Sequence, residues 1–208
     1  MEKIAKIAGL TFDEKWHSYK VHGYSVPSVS RIMEPLSSAT YEKIDEEVLR
    51  KAAERGTAIH KAIEEYELGN EENELPDIYK GYFDGFLKWF ELRKPIVLSP
   101  EYMMYHKTLL YAGTTDLLCV IDGTPTVVDY KNTTVVYPKM TRIQTEAYIQ
   151  MLKSHNITFE GKPFERKIIV QLKKDGTYTE EEHDREDAEA LKILTELLDI
   201  FNYSKKEY

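Results

Sequence analysis

Cysteine is nearly absent from this sequence, because Cys119 is the only one among 208 residues. A single cysteine excludes an internal disulfide and any zinc or iron–sulfur site built from several thiolates. Cys119 lies inside an apolar run from Leu117 to Ile121. That position predicts a small buried core residue rather than a reactive thiol.

Long apolar runs are also missing. No stretch approaches the roughly 18 residues that a membrane-spanning helix needs. The first six residues, Met-Glu-Lys-Ile-Ala-Lys, lack the continuous apolar segment of a signal peptide. We therefore expect an intracellular protein with no membrane partner.

The sequence also lacks an excess of positive charge. The formal net charge is −8, which argues against a large, non-specific nucleic-acid-binding surface. A nucleic-acid enzyme is still compatible with this charge, because a carboxylate site becomes positive toward phosphate once it holds divalent ions. Repeats, low-complexity segments and obvious linkers are missing as well, so we interpret residues 1–208 as one domain.

Within this domain the pattern predicts a helical part at about 24–92, a sheet core at about 95–172 and a C-terminal helix at about 184–202. Apolar runs bounded by turn residues predict strands at 96–105, 109–121, 126–131 and 167–172. A helix at 139–153 connects the last two strands, and such connections usually give a parallel pair. The expected fold class is α/β, with a small mixed β-sheet flanked by helices.

Several helix boundaries follow from local signals. Ser28 is expected to cap a short helix that Pro35 ends, and a longer helical pattern runs from 41 to about 68. Gly56 interrupts that pattern, so two helices or one bent helix both fit it. An aromatic-rich helix at about 77–92 is expected in the core, and Asp184 is expected to cap the last helix. Residues 1–23 fit short strands or loops.

The chemistry-bearing residues centre on one hairpin. Two apolar runs flank the turn signal Asp122-Gly123, and Asp116 opens the first run while Asp129 closes the second. In an antiparallel pair these two carboxylates converge. Lys131 lies two residues beyond Asp129 and therefore points to the same face of a continuing strand. Carboxylate oxygens suit Mg²⁺ or Mn²⁺, and a nearby lysine can stabilise a reacting phosphate. The alternative is that these are ordinary solvated charges at strand ends.

Further candidates lie on neighbouring elements. His60 borders the apolar stripe of the first long helix, and Gly56 one turn earlier allows a close approach. Gln144 and Tyr148 lie one turn apart on the helix after Lys131 and could position a phosphate, a base or the lysine. Glu101, on the strand before Asp116, fits either an added ligand or a supporting acid. His60 taken alone, and the pair of Gln144 and Tyr148 taken alone, are more often structural, whereas Glu101 fits both readings equally.

Taken in order, the motifs resemble the RecB-like and Cas4-like exonuclease branch of the PD-(D/E)xK nuclease superfamily. The resemblance covers about residues 24–170, and the segment 25–33, Ser-Val-Pro-Ser-Val-Ser-Arg-Ile-Met, also resembles the N-terminal segment of that branch. The motifs that carry it are Gly56-x-x-x-His60, Glu101, Gly113-x-x-Asp116, Asp129-x-Lys131 and Gln144-x-x-x-Tyr148.

The resemblance implies a restriction-endonuclease-like core and a metal-dependent DNA nuclease. It implies that Lys131 serves catalysis together with Asp116 and Asp129, and that Gln144 and Tyr148 contact DNA or support the site. The implied ligands of Mg²⁺ or Mn²⁺ are His60, Asp116, Asp129 and the carbonyl of Tyr130.

Two departures from relatives of this branch narrow the expectation. Some relatives carry four cysteines for an iron–sulfur cluster, and this chain has only Cys119, so no cluster is expected. Helicase-fused relatives carry ATPase motors, whereas no Gly-x-x-x-x-Gly-Lys-[Ser/Thr] loop occurs here, so no ATP is expected. The chain looks more like stand-alone viral or organellar exonucleases, which favours a cytoplasmic, nucleoid-associated, organellar or virus-encoded protein.

The favoured hypothesis is an Mg²⁺- or Mn²⁺-dependent deoxyribonuclease, an exonuclease that acts on single-stranded DNA or duplex ends in recombination, repair or replication. A recombination or replication protein is the candidate partner. One alternative is a structure-specific or single-strand endonuclease of the same fold. The other is a non-catalytic module that binds nucleic acid or protein. For a nuclease, activity should rise with pH, because His60 must be neutral to bind a metal.

Overall fold

The computed structural model describes residues 4–70 and 74–205. The strands are β1 (Leu10–Asp13), β2 (Ser18–Val21), β3 (Tyr24–Val26), β4 (Ile96–Tyr105), β5 (Ala112–Ile121), β6 (Thr124–Lys131), β7 (Thr158–Phe159), β8 (Lys162–Pro163), β9 (Arg166–Leu172) and β10 (Tyr178–His183). The α-helices are α1 (Val29–Ile32), α2 (Glu34–Tyr41), α3 (Glu46–Glu67), α4 (Lys80–Arg93), α5 (Pro138–Ser154) and α6 (Ala188–Ser204). A short 3-10 turn, Asp77–Tyr79, precedes α4.

The central sheet has five strands in the order β10-β9-β6-β5-β4. β4, β5 and β6 form an antiparallel meander, β9 pairs with β6 in parallel, and β10 pairs with β9 in antiparallel orientation. The expected mixed sheet flanked by helices is confirmed, and so is the parallel pair formed through α5. The edge strand β10 was not predicted, because its residues Tyr-Thr-Glu-Glu-Glu-His are mostly exposed and show no apolar alternation.

The helices bury the sheet between two apolar clusters. One cluster joins α1, α5 and α6 to the sheet through residues such as Leu118, Val127 and Ile149. The other joins α3 and α4 to it through Ile59 and Phe86, among others. Cys119 belongs to the second cluster and is fully buried, as expected. In the described part of the chain, no helix combines the length and apolarity needed to span a membrane.

Part of the N-terminal region, which the sequence left open between strands and loops, forms a three-stranded sheet, β1-β2-β3. It packs on the central sheet through Tyr19 and Val21, which contact Tyr105 and Ala112. The hydroxyl of Tyr19 also lies 2.8 Å from the Thr114 hydroxyl on β5. This small sheet therefore borders the same end of β5 that carries Asp116.

The predicted end of the first short helix was wrong. Ser28 caps α1 as expected, by accepting a hydrogen bond from the Arg31 amide. Pro35, however, lies in the first turn of α2 instead of ending a helix. A proline is tolerated there because the first amides of a helix have no intrahelical acceptor.

The long helix also begins later than predicted. α3 starts after Asp45, whose carboxylate accepts a hydrogen bond from the Glu47 amide. It then runs without a break through Gly56, so the choice between two helices and one is decided in favour of one. Its packing on the sheet offsets the roughly 1 kcal/mol that a glycine costs inside a helix.

The cap of the last helix was misplaced by three residues. Asp187, not Asp184, precedes α6 and accepts a hydrogen bond from the Ala190 amide at 3.0 Å. Arg142 on α5 also pairs with Asp187 through two hydrogen bonds of 2.6 and 2.7 Å. The sequence offered two aspartates at suitable spacing, and this contact between helices distinguishes them.

The hairpin turn between β5 and β6 is confirmed. Asp122 has φ 52° and Gly123 has φ 74°, and Ile121 pairs with Thr124 across the two turn residues. Two consecutive positive φ values match the tight turns that follow the twist of a hairpin, and Asp-Gly is a preferred pair there. The turn fixes the register that brings Asp116 beside Asp129.

Candidate active site

The candidate site lies where β5 begins and β6 ends. The register pairs Leu117 with Val128, so the residues just outside this pair, Asp116 and Asp129, are adjacent across the two strands. The amide of Tyr130 donates a hydrogen bond of 2.6 Å to Asp116 Oδ2. The convergence predicted from the hairpin is therefore present.

His60 reaches this end of the sheet from the middle of α3. Its Nδ1 lies 3.3 Å from Asp116 Oδ1 and 3.8 Å from Glu101 Oε1. Ile59 and Ile63 are buried against the sheet, and they hold the helix face that carries His60. One nitrogen and two carboxylate oxygens, from His60, Glu101 and Asp116, lie within 4.8 Å of one another.

Glu101 enters the cluster through an unusual backbone conformation. Its neighbours Pro100 and Tyr102 pair with Leu117 and Thr115, so Glu101 lies across from Asp116. Its φ is 42°, in the left-handed region that non-glycine residues rarely adopt. Such conformations cost about 1–3 kcal/mol and concentrate at functional sites. No local pattern in the sequence signals this conformation.

Lys131 connects the carboxylates to helix α5. Its Nζ lies 2.7 Å from Asp129 Oδ2 and donates a hydrogen bond of 2.9 Å to Gln144 Oε1. Gln144 Nε2 in turn donates to the Tyr148 hydroxyl at 2.8 Å. The one-turn spacing of Gln144 and Tyr148 thus produces a continuous chain of contacts that holds the lysine.

Gly113 allows Tyr148 to lie close to β5. A Cβ atom at Gly113 would lie 3.1 Å from Tyr148 Cε1 and 3.3 Å from Val29 Cγ2. Both distances are tighter than ordinary van der Waals contact, so a side chain here would displace Tyr148 or α1. Burial, aided by the Asp129 carboxylate, raises the pKa of Tyr148 well above 10, so its hydroxyl stays protonated.

The groups of the His60 cluster shift one another's pKa values, upward for His60 and Glu101 and downward for Asp116. Burial alone would lower the pKa of His60, but the carboxylates of Asp116 and Glu101 outweigh it and raise the pKa well above 6.5. Burial raises the pKa of Glu101 to about 7, and the charge of Asp116 contributes while His60 opposes it. Burial also opposes ionisation of Asp116, yet its pKa is lowered, chiefly because His60 lies beside it.

In the pair of Lys131 and Asp129, burial and the charge of the partner also shift the pKa in opposite directions. Burial raises the pKa of Asp129 to about 6, against the effect of Lys131 and with the help of Asp116. Burial would lower the pKa of Lys131, but the charges of Asp129 and Asp116 raise it overall. Lys131 is therefore a cation at neutral pH.

A further acid behind the site, partly buried, was missed by the sequence reasoning. Glu67, near the end of α3, accepts a hydrogen bond of 2.8 Å from the Tyr130 hydroxyl. Its second oxygen has no hydrogen-bond partner among the described residues. Burial raises the pKa of Glu67 well above 4.5. Its position seven residues after His60, on the same helix face, is the signal that could have revealed it.

The donor set fits a divalent metal ion. One imidazole nitrogen and two carboxylate oxygens within 4.8 Å are close to the span of about 4 Å between opposite ligands of an octahedral ion with bonds near 2 Å. His60 and Asp116 come together as predicted, and Glu101 joins them. Asp129 instead contacts Lys131, so its role as a ligand stays a prediction, as does that of the Tyr130 carbonyl.

Comparisons with known proteins gave structural likeness only. No family model and no curated protein matches this chain. The crystal structure of an alkaline exonuclease, LHK-Exo, from Laribacter hongkongensis is 14% identical with a TM-score of 0.36, and the match covers 64% of this chain and 70% of that one. The structure of LHK-Exo in complex with dAMP is 13% identical with a TM-score of 0.42, covering 86% and 87%. Because both TM-scores are below 0.5, the likeness assigns no activity to this chain.

Proposed function

We propose that this protein is a metal-dependent DNA nuclease of the PD-(D/E)xK type and that it belongs to the RecB-like branch. The observation that carries the proposal is the meeting of His60, Glu101 and Asp116 within 4.8 Å, beside a lysine paired with a buried aspartate. Three acids around one lysine and one histidine are costly to bury without a functional reason.

The proposed cofactor is Mg²⁺ or Mn²⁺. His60 and Asp116 would hold it, with Glu101, Asp129 and the Tyr130 carbonyl as the remaining candidate ligands. A divalent ion at this position would activate a water and neutralise charge on a phosphodiester. A mixed set of nitrogen and oxygen ligands favours Mn²⁺ over Mg²⁺, because imidazole binds transition metals more readily.

Lys131 acts as a cation in this proposal. Its pKa is raised by the charges of Asp129 and Asp116, which outweigh the opposing effect of burial, so it does not serve as a general base at neutral pH. A fixed positive charge stabilises the negative charge that develops on a phosphate in the transition state. Asp129 and Gln144 hold the ammonium group in place, and Tyr148 fixes Gln144.

The proposed activity is exonucleolytic, on single-stranded DNA or duplex ends, in recombination, repair or replication. An endonuclease of the same fold would use the same residues. Whether cleavage requires a free DNA end must therefore be measured. A binding module is the less favoured alternative, since it has no need for a lysine supported by three side chains next to a metal-binding group.

The test is a cleavage assay with purified protein and Mn²⁺ or Mg²⁺. Linear DNA labelled at the 5′ or the 3′ end, single-stranded and duplex, is incubated beside circular single-stranded DNA. We expect shortening of the linear strands and an intact circle, with no cleavage by Asp129→Ala or Lys131→Ala variants that keep the wild-type circular dichroism spectrum. Cutting of the circle indicates the endonuclease.

The binding-module alternative makes the opposite prediction. Intact DNA under all these conditions would sink the nuclease proposal. Calorimetric titration with Mn²⁺ then separates the remaining possibilities, because the proposal requires ion binding that is lost in Asp116→Ala. No ion binding, or binding that this substitution leaves unchanged, favours the module.

A further inference from the structure

Arg55 lies on α3 five residues before His60 and has no carboxylate partner among the described residues. No described carboxylate oxygen lies within 4.0 Å of its guanidinium group. The other arginines behave differently. Those that form ion pairs with Asp or Glu are Arg31, Arg50, Arg93, Arg142 and Arg166. Arg185 also lacks a described carboxylate partner, but its side chain is exposed, whereas Arg55 is half-buried.

The guanidinium of Arg55 is held by neutral groups. Its Nε donates a hydrogen bond of 3.2 Å to Asn132 Oδ1, and its central carbon lies 5.4 Å from the centre of the Tyr82 ring on α4. An amide and an aromatic face orient the cation without neutralising it. Within residues 4–70 and 74–205, the hydrogen bond from Nε to Asn132 does not involve the two terminal nitrogens, which can therefore donate to an anion.

Asn132 is itself fixed next to the catalytic lysine. It follows Lys131 directly in the chain and is 7% exposed. Gln171 pairs with Lys131 in the parallel register, and its Nε2 donates hydrogen bonds to the carbonyls of Thr133 and Thr134. The segment after β6 is thus tied to β9.

This segment packs against α3 at Gly56. A Cβ atom at Gly56 would lie 3.5 Å from Asn132 Nδ2, which is ordinary contact distance. Asn132 thereby connects the His60 helix to the Lys131 strand, and Arg55 lies at that junction.

We propose that Arg55 and Asn132 form a phosphate-binding site for a nucleotide adjoining the one that is cut. This inference rests on the proposed nuclease function and adds a substrate contact to it. A nucleic-acid strand that approaches three carboxylates needs fixed positive charge on its path. Because the protein has a net charge of −8, each cation near the site contributes appreciably to strand binding. Arginine matches a phosphate with two parallel N–H donors, which lysine cannot reproduce.

The experiment measures strand binding and turnover in two matched variants. Arg55→Gln removes the proposed contact. Arg50→Gln makes the same charge change five residues earlier on α3, where the arginine is already paired with Glu47 and Glu54. Binding of a fluorescent single-stranded oligonucleotide is followed by anisotropy with Mn²⁺ in an Asp129→Asn background, over a range of salt concentrations. KM and kcat are measured in the otherwise wild-type protein.

We expect Arg55→Gln to weaken oligonucleotide binding by about 10- to 100-fold, because a hydrogen-bonded charge pair is lost. The slope of log K against log salt should fall by about 0.7, the value for one phosphate contact on a single strand. The change should appear in KM more than in kcat. Arg50→Gln should leave the slope and KM within about twofold of wild type.

Asn132→Asp is the second variant, used if Arg55→Gln does not fold. It places a carboxylate on Arg55 Nε and should lower affinity and slope in the same way. An Arg55→Gln protein that matches Arg50→Gln in KM and salt slope overturns the inference while cleavage by the wild type stands. A loss of kcat alone, with binding and slope unchanged, also overturns it. If wild type neither binds nor cuts DNA, the proposed function fails and this inference fails with it.

Discussion

Two lysine–carboxylate pairs with the same separation occur in this molecule, and their surroundings differ. Lys131 and Asp129 are 2.7 Å apart, with 24% of the lysine side chain and 2% of the aspartate exposed. Lys167 and Glu146 are also 2.7 Å apart, with exposures of 0% and 3%. The second pair joins β9 to α5, and Gln150 donates a hydrogen bond of 2.7 Å to Glu146 Oε1.

We interpret the Lys131–Asp129 pair as reactive and the Lys167–Glu146 pair as structural. Lys167 meets one carboxylate, so its charge is balanced and sealed from water. Lys131 belongs to a group in which Asp116, Asp129 and Glu101 outnumber it, and the group opens to solvent. Burial raises the pKa of Asp129 to about 6, with the Asp116 charge acting in the same direction and Lys131 opposing it. The candidate site therefore differs from the structural pair in two ways: it has more acids than lysines, and it is accessible to solvent.

The first prediction exchanges each lysine for methionine. Lys131→Met should lower kcat by about a thousandfold or more, equivalent to about 4 kcal/mol of transition-state stabilisation. Its unfolding free energy should fall by only about 1–2 kcal/mol, because Asp129, whose pKa is already raised to about 6 by burial, can take up a proton once Lys131 is gone. Lys167→Met should instead lose about 3–5 kcal/mol of stability, because it leaves the buried Glu146 carboxylate without its positive partner. Urea unfolding and DNA cleavage at saturating substrate measure the two effects.

The matched control is the double variant Lys167→Met/Glu146→Leu. Replacing both members of a sealed pair by apolar side chains is often neutral or stabilising, so stability should return and cleavage should persist. If Lys167→Met abolished cleavage in protein that is fully folded, the separation between a reactive and a structural pair would be wrong.

The second prediction concerns pH and the metal. A divalent ion at His60 and Glu101 must displace their protons, and the pKa of His60 is raised well above 6.5 while that of Glu101 is about 7. Affinity for Mn²⁺ should therefore rise with pH through about 7 and level off above the pKa of His60. One or two released protons correspond to about a 10- to 100-fold gain per pH unit.

Calorimetric titration with Mn²⁺ at pH 6 and pH 8, in buffers of different ionisation enthalpy, counts the released protons directly. At pH 6, Glu101→Gln should remove about one proton from that count, because the pKa of Glu101 is about 7 and the amide does not titrate. The Lys167 pair serves as the reference, since Glu146→Gln should leave the count unchanged. An affinity for Mn²⁺ that does not vary between these pH values contradicts the arrangement of His60 and Glu101.

The sequence predicted the parts of the site that depend on local geometry. A two-residue turn determines the register of a hairpin, so Asp122-Gly123 was enough to bring Asp116 beside Asp129. Helical spacing likewise placed Gln144 and Tyr148 on one face. These are short-range consequences of backbone periodicity, and they are confirmed.

The parts that depend on packing between distant elements were not predictable in the same way. The contact of Glu101 with His60 needs a left-handed residue within β4 and a particular position of α3 on the sheet. The junction of Arg55 with Asn132 depends on that same position. Strand β10 pairs at the edge of the sheet, and its polar residues give no strand signal. The contact with Arg142 on α5 identifies Asp187, rather than Asp184, as the cap of α6.

The third prediction has the smallest effect and tests the support of Lys131. Tyr148→Phe removes the acceptor of Gln144 Nε2 while keeping the buried ring, so Gln144 should hold Lys131 less firmly. We expect kcat to fall by about three- to tenfold, and stability by about 1 kcal/mol for one hydrogen bond. Tyr111→Phe is the matched control, since its buried hydroxyl donates to the Ala147 carbonyl on the same helix. It should cost similar stability and leave kcat unchanged. Equal kcat values for the two variants would show that the hydrogen bonds from Tyr148 through Gln144 to Lys131 contribute to stability and not to turnover.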